Sequence, residues 1–128
     1  MRILLDTHLL LWAMAASRKL PREVKSQLLD PHNDVYYSAA SLWEIAIKSG
    51  LQRTDFRIDI DALMKALEAS GFIELPISAA HAASVAKLPP IHKDPFDRLL
   101  VAQSMAEPLT LLTNDRELAG YWDGVKVI

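Results

Sequence analysis

Ile3-Leu4-Leu5 is followed at once by Asp6, and this short run constrains the fold more than any other stretch. Three consecutive apolar residues predict a strand buried on both faces, because a strand with one wet face alternates. His8, Leu9, Leu10, Leu11 and Trp12 are too apolar for a surface loop and predict a helix packed on the same sheet. Asp6 therefore stands where a central strand hands over to a helix. In open α/β sheets, ligands bind at that end of the strands. A carboxylate there costs desolvation free energy unless a cation or hydrogen-bond donors compensate it. Two explanations stand side by side: Asp6 and Thr7 cap the helix, or Asp6 holds a cation.

The rest of the chain repeats the alternation. A helix over residues 8–16 precedes a second one that opens at Pro21, in its first turn, where a missing N–H does no harm. Residues 35–38 predict a short strand. Ser41 is the expected N-cap of a third helix, with Glu44 at the spacing of a capping box and Gly50 at its end. A polar connector at 52–56 leads to an amphipathic helix at 59–70, a strand at 72–75 and an Ala-rich helix at 78–87. A rigid loop at 88–93 follows. Asp94-Pro95 then starts a helix that runs from Phe96 to about Ala106, with Asp94 as N-cap. Residues 109–112 are a second buried strand, 116–121 a short helix and 125–128 an edge strand. Strands alternating with helices predict a parallel α/β sheet covered on both faces. At 128 residues, the expectation is one domain, 1–128.

The sequence has no cysteine, which excludes disulfides, a thiolate metal site and a cysteine nucleophile. With no secretory signal, the expected compartment is the cytoplasm. The apolar run 9–16 is too short to span a bilayer. A net charge of -2 gives no bulk attraction to nucleic acid, so any such binding must use a local patch.

Four carboxylates need more than a local explanation. Asp97 has Leu100 and Val101 three and four residues along its helix, and Phe96 and Leu99 beside them. It pairs with Lys93 one turn back, or it serves a site. Asp94 has its cap and Arg98 at i+4. Glu44 has Ser41 and an i,i+4 pair with Lys48. Asp115 repeats the position of Asp6, an acid after an apolar strand. Its local alternative is a first helical turn, with Asn114 and Glu117 as a capping box. Taken together, Asp6 and Asp115 lie past two buried strands, and Glu44 and Asp97 lie near the starts of helices entered from the same side. In a parallel sheet all four converge on one crevice. Carboxylates so placed repel and take up protons unless a divalent cation neutralises them. Oxygen-only ligands favour Mg²⁺ or Mn²⁺ over Zn²⁺. One or two such ions activate water and stabilise the leaving oxygen of a phosphodiester.

The opening ILLDTHLLLW, the helix SAASLWEIAIKSGL, the run KDPFDRLLVAQSMA and the ending LLTNDREL occur in an order and spacing that resemble a PIN-domain ribonuclease, a toxin of the VapC type from a bacterial toxin–antitoxin pair. The resemblance covers essentially the whole chain. It implies a PIN-like three-layer α/β sandwich around a central, mostly parallel sheet. It implies an endoribonuclease dependent on Mg²⁺ or Mn²⁺, held inactive by a cognate VapB-like antitoxin, and a homodimer. It carries the acidic set onto Asp6, Glu44, Asp97 and Asp115, which hold the cation and position a water for in-line attack on phosphorus. Asp6 and Asp97 are the implied direct ligands, Glu44 lies close, and Asp115 acts through water. Thr7 and Thr113 would hold these groups in place. Asp97, not Asp94, takes the family position, because Leu100 through Ala102 continue a buried helical face after it.

Lys48, His92, Lys93, Arg98 and Arg116 are candidate contacts to RNA phosphate, each with a solvated surface charge as its alternative. His8 is structural or contributes to the site. Trp12 and Trp43 are core or interface anchors. The apolar face of 9–16, with the second helix, is where the family receives the antitoxin's C-terminal segment. Three other functions compete. A haloacid-dehalogenase-type phosphatase needs a second aspartate two residues after Asp6, and position 8 is His. A flap-type DNA nuclease needs arches and helices that 128 residues do not supply. A catalytically silent PIN module would bind metal or RNA without cutting.

Overall fold

The computed structural model describes residues 1–51 and 58–128; the expected connector at 52–56 lies outside the described residues. The elements run β1 (Arg2–Leu5), α1 (Thr7–Met14), α2 (Arg22–Leu29), β2 (Asp34–Ser38), α3 (Ala39–Gly50), α4 (Ile60–Ala69), β3 (Ile73–Leu75), α5 (Ala79–Ser84), α6 (Pro95–Ala106), β4 (Thr110–Thr113) and β5 (Val125–Val127). Short 3-10 turns follow α5 at Val85–Lys87 and β4 at Arg116–Gly120.

The strands form one five-stranded sheet in the order β3-β2-β1-β4-β5. Every pairing is parallel, so the sheet is more uniform than the mostly parallel one expected. β1 is central, with Leu4 opposite Tyr36 on one side and Leu111 on the other. The chain builds outward from β1 through β2 to β3, then returns to β1's other side with β4. The strand order thus reverses between β1 and β4, and their carboxyl ends open a crevice there.

Side-chain alternation along the strands makes two cores. Ile3, Leu5, Val35, Tyr37 and Leu112 face Leu9, Leu10, Val24, Ile45 and Leu67 from α1–α4. Leu4 and Leu111 face the other way, against Leu100 and Val101 of α6 and Leu118. Helices cover both faces, which is the expected three-layer sandwich. Among the described residues, no helix is long and apolar enough to cross a membrane.

Several helix starts follow local chemistry. Asp59 Oδ1 accepts from Ala62 N at 3.1 Å, and Asp94 Oδ1 accepts from Phe96 N and Asp97 N, with Pro95 at the first helical position. Gly71, at φ 77, follows the C-cap of α4 in the left-handed region. The start of α3 differs from expectation. Ser38, not Ser41, is the N-cap, with Oγ accepting from Ala40 N at 3.0 Å. β2 stays paired with β3 through Ser38 opposite Leu75, so the helix begins directly after it. Ser41 is thereby drawn inside the helix, and Glu44 has no capping box. Pro21 likewise occupies the N-cap position of α2, one residue before the first turn.

Candidate active site

Asp6 leaves β1 buried and caps α1, with Oδ1 accepting from Leu9 N at 2.8 Å. Its second oxygen accepts from Thr113 Oγ1 at 2.6 Å. Thr113 ends β4, and its Oγ1 also accepts from Asp115 N at 3.0 Å. One hydroxyl therefore ties together the acids that follow the two strands flanking the switch point. Burial pushes the Asp6 carboxyl above the usual range, against the donors Leu9 N and Thr113 Oγ1 that favour its ionised form.

Asp97 sits in the first turn of α6, and its carboxyl is pushed up to about 7. Burial is the largest cause; the negative charges of Asp94, Asp6 and Glu44 add to it, and His92 opposes them. Asp94, Asp6 and Glu44 are thus near enough for their charges to act on the Asp97 carboxyl. Glu44 is only 4% exposed on α3. Its Oε2 takes a 2.7 Å bond from Lys48 Nζ, while Oε1 is buried without a hydrogen-bond partner among the described residues. A buried, orphaned carboxylate oxygen costs free energy that a cation would return.

Asp115 caps the turn after β4, with Oδ1 accepting from Glu117 N at 3.0 Å; the cap is Asp115 itself rather than the Asn114–Glu117 box. Its Oδ2 lies 2.9 Å from His92 Nε2. A cleft of about 320 Å³ opens between these groups, lined by Asp6, His8, Asp97, Asn114, Asp115 and Arg116. Glu44, on α3, does not line it.

The remaining candidates divide. Arg116 lines the cleft and is exposed, as is Lys93 outside it. Lys48 is engaged with Glu44. Arg98 reaches neither aspartate of its helix: its guanidinium donates to Pro89 O, Val85 O and Tyr121 Oη at 3.0, 3.0 and 3.2 Å. His92 points into the acids, with Nε2 3.8 Å from Asp97 Oδ2, and takes the place expected of Lys93. Thr7 Oγ1 donates to Ser41 Oγ at 2.9 Å, so it joins α1 to α3, the helix that carries Glu44, and does not bond a carboxylate. Trp43 is 59% exposed and meets Phe96 edge-on at 5.2 Å, which removes it from the core. Trp12 packs at the core's margin.

The sequence reading does not bring Asn114, Glu117 and Tyr121 to the site. Asn114 has a signal, as the residue between Thr113 and Asp115 at the end of a central strand. Tyr121 has none, because its hydroxyl acts on a loop 29 residues away.

The chemistry of the donor set fits a hard divalent cation: carboxylate oxygens, one of them orphaned, with no sulfur. Among the described residues, the three ligand-type groups whose atoms lie within 4.8 Å of one another are His92, Asp115 and Glu117. Asp6, Glu44 and Asp97 stand further apart, with Asp6 and Glu44 each turned toward a donor of its own.

The PIN domain family model matches residues 3–121. Among solved structures, the chain is similar to VapBC2 from Rickettsia felis bound to a DNA fragment from their promoter, at 18% identity over 100% of this chain and 98% of that one, with a TM-score of 0.70. It is similar to FitAcB from Neisseria gonorrhoeae at 24% identity over 91% and 89% of the two chains, TM-score 0.62. DNA-bound VapBC from Salmonella typhimurium aligns at 14% identity over 100% and 97%, TM-score 0.67. At these identities the likeness is one of fold. No curated protein matches the chain in sequence.

Proposed function

The chain belongs to the PIN-domain family, and from that premise we propose that it is a VapC-type toxin, an endoribonuclease dependent on Mg²⁺ or Mn²⁺. The observation that carries the proposal is the acid cluster at the β1/β4 switch point: Asp97 raised to about 7 by burial first and then by the charges of Asp94, Asp6 and Glu44, and Glu44 Oε1 buried without a donor among the described residues. Local caps and ion pairs account for neither. The fold likeness to VapBC and FitAB structures supports the toxin assignment.

Asp6 and Asp97 are the residues to hold the cation directly, with Glu44 close to them and Asp115 acting through water. A divalent cation held there supplies charge to make water acidic and to offset negative charge on a leaving oxygen. Thr113 fixes Asp6 through Oδ2 and Asp115 through its backbone N–H. These carboxylates, ionised when they hold the cation, would orient a water toward phosphorus. Arg116, exposed at the cleft wall, is placed to meet an RNA phosphate. Arg98 and Lys48 are already engaged within the fold. Arg116→Ala is expected to raise KM for RNA with kcat little changed, and to lower the salt slope of RNA binding by about one. Steady-state kinetics at two salt concentrations check this.

Two surfaces suit the partners. A groove of about 490 Å³ between α1 and α2 is lined by Met14, Leu20, Leu28 and Phe72, with Arg18, Arg22 and Lys25 among its polar residues. It fits an amphipathic segment with acidic residues, as from a VapB-like antitoxin in the cytoplasm. Exposed Trp43 and Ile47 on α3, with Phe96, fit a second copy of the chain.

The test is cleavage of a tRNA and rRNA set by the purified chain, with Mg²⁺ or Mn²⁺ and with EDTA. Cleavage that requires the cation supports the proposal. Stoichiometric binding of metal or RNA without turnover supports the silent module instead.

A further inference from the structure

We infer that His92 is a positioning residue: its ring stands in the acidic crevice as a fixed hydrogen-bond donor to Asp115 and is not a ligand of the cation. This rests on the proposal that the crevice holds a divalent cation.

His92 is held from three directions. Its backbone N–H donates to Tyr121 Oη at 2.9 Å. That hydroxyl also receives Arg98, whose guanidinium reaches Pro89 O and Val85 O, so one arginine ties the approach to His92 onto α6. The ring's Nδ1 faces the backbone N–H of Asp94 at 3.0 Å. Asp94 is itself fixed, since its side chain caps α6.

The Asp94 bond decides the tautomer. A nitrogen that accepts from a backbone N–H carries a lone pair, so in the neutral ring the proton sits on Nε2. Nε2–H then points at Asp115 Oδ2 (2.9 Å), with Glu117 Oε2 at 3.5 Å and Asp97 Oδ2 at 3.8 Å. The spacing of His92, Asp115 and Glu117 alone would suit a cation. The hydrogen bonds argue otherwise. To ligate through Nε2 the ring must move its proton to Nδ1, where it would meet the Asp94 N–H donor to donor. His92 instead begins a relay to the cation site: Asp94 N–H to His92, His92 to Asp115, Asp115 N–H to Thr113, and Thr113 to Asp6. Partners of this kind orient metal-holding carboxylates, and their loss is costly.

Two measurements test this. A long-range ¹H–¹⁵N spectrum of the metal-free chain is expected to show His92 protonated at Nε2, and to show the same after Mg²⁺ is added. Protonation at Nδ1, before or after Mg²⁺, overturns the inference. In Mn²⁺ titrations, His92→Ala and His92→Asn are each expected to bind roughly ten- to a hundredfold more weakly. His92→Gln, whose amide N–H reaches where Nε2–H does, is expected to recover most of that loss. Wild-type affinity in His92→Ala, or a Gln variant no better than the Asn variant, overturns it. A wild-type chain that binds no Mn²⁺ overturns the cation proposal and the ligand-positioning role with it. The metal-free ring spectrum reports the His92–Asp115 bond separately.

Discussion

Asp6→Asn is expected to lower RNA cleavage about a thousandfold or more while leaving the fold standing. Charge stabilisation by a held cation is worth several kcal/mol, and about 4 kcal/mol corresponds to three decades of rate. The substitution removes the negative charge that holds the cation and little else. Asn caps a helix about as well as Asp, so the bond from Leu9 N survives. The amide places an N–H against Thr113 Oγ1, which already accepts from Asp115 N, and this costs about 1 kcal/mol of hydrogen bonding. Removing a charge from a site only 3% exposed offsets that cost. Cleavage rates beside thermal unfolding check both halves. A variant that still cuts at a tenth of the wild-type rate would mean that Asp6 is only a cap.

The second large effect lies in pH. Without added cation, the chain is expected to lose stability as pH rises through the window from about 4 to about 7. Asp97 titrates near 3.8 when unfolded and about 7 when folded, because burial and the charges of Asp94, Asp6 and Glu44 disfavour its ionised form. In that window the folded state keeps a proton that the unfolded state has released, so stability falls with pH and levels off above about 7. The span corresponds to on the order of 4 kcal/mol. Asp6, raised by burial, acts in the same sense. Asp97→Asn is expected to flatten this slope and, above pH 7, to raise the metal-free Tm by about 10 °C, while abolishing cleavage. Mg²⁺ favours the ionised carboxylates, so its stabilisation of the wild type is largest above pH 7 and fades below it. Denaturant midpoints across pH, with and without Mg²⁺, are the check. Stability that rises with pH in the metal-free wild type would contradict the coupled acid cluster.

These effects concern residues whose positions were largely legible in the sequence, for local reasons. Ile3-Leu4-Leu5 ahead of Asp6 marks a central strand end, and Asp94-Pro95 marks a helix start; both signals lie within a few residues. The convergence of Asp6 and Asp115 needed only a parallel sheet. Less was legible where the partner is distant. Ser38 and Ser41 are equally good caps, and the choice falls to Ser38 because β2 remains paired with Leu75 of β3. Arg98 looks like a free cation, yet its acceptors, Val85 O, Pro89 O and Tyr121 Oη, come from a turn, a loop and the end of another turn. Thr7 follows Asp6 in sequence, but its hydroxyl is engaged by Ser41, 34 residues on. His92 reads as a surface cation until Asp94 N–H and Asp115 are seen on its two ring nitrogens.

The most direct measurement of a cation-dependent RNA-cutting crevice is the rate of RNA cleavage plotted against bound Mn²⁺ in the same samples, for the wild type and for Asp97→Asn. The expected result is a rate that rises with occupancy in the wild type, with both binding and cleavage lost in the variant. Full Mn²⁺ occupancy without cleavage, or cleavage unchanged when occupancy is removed by EDTA, would contradict it.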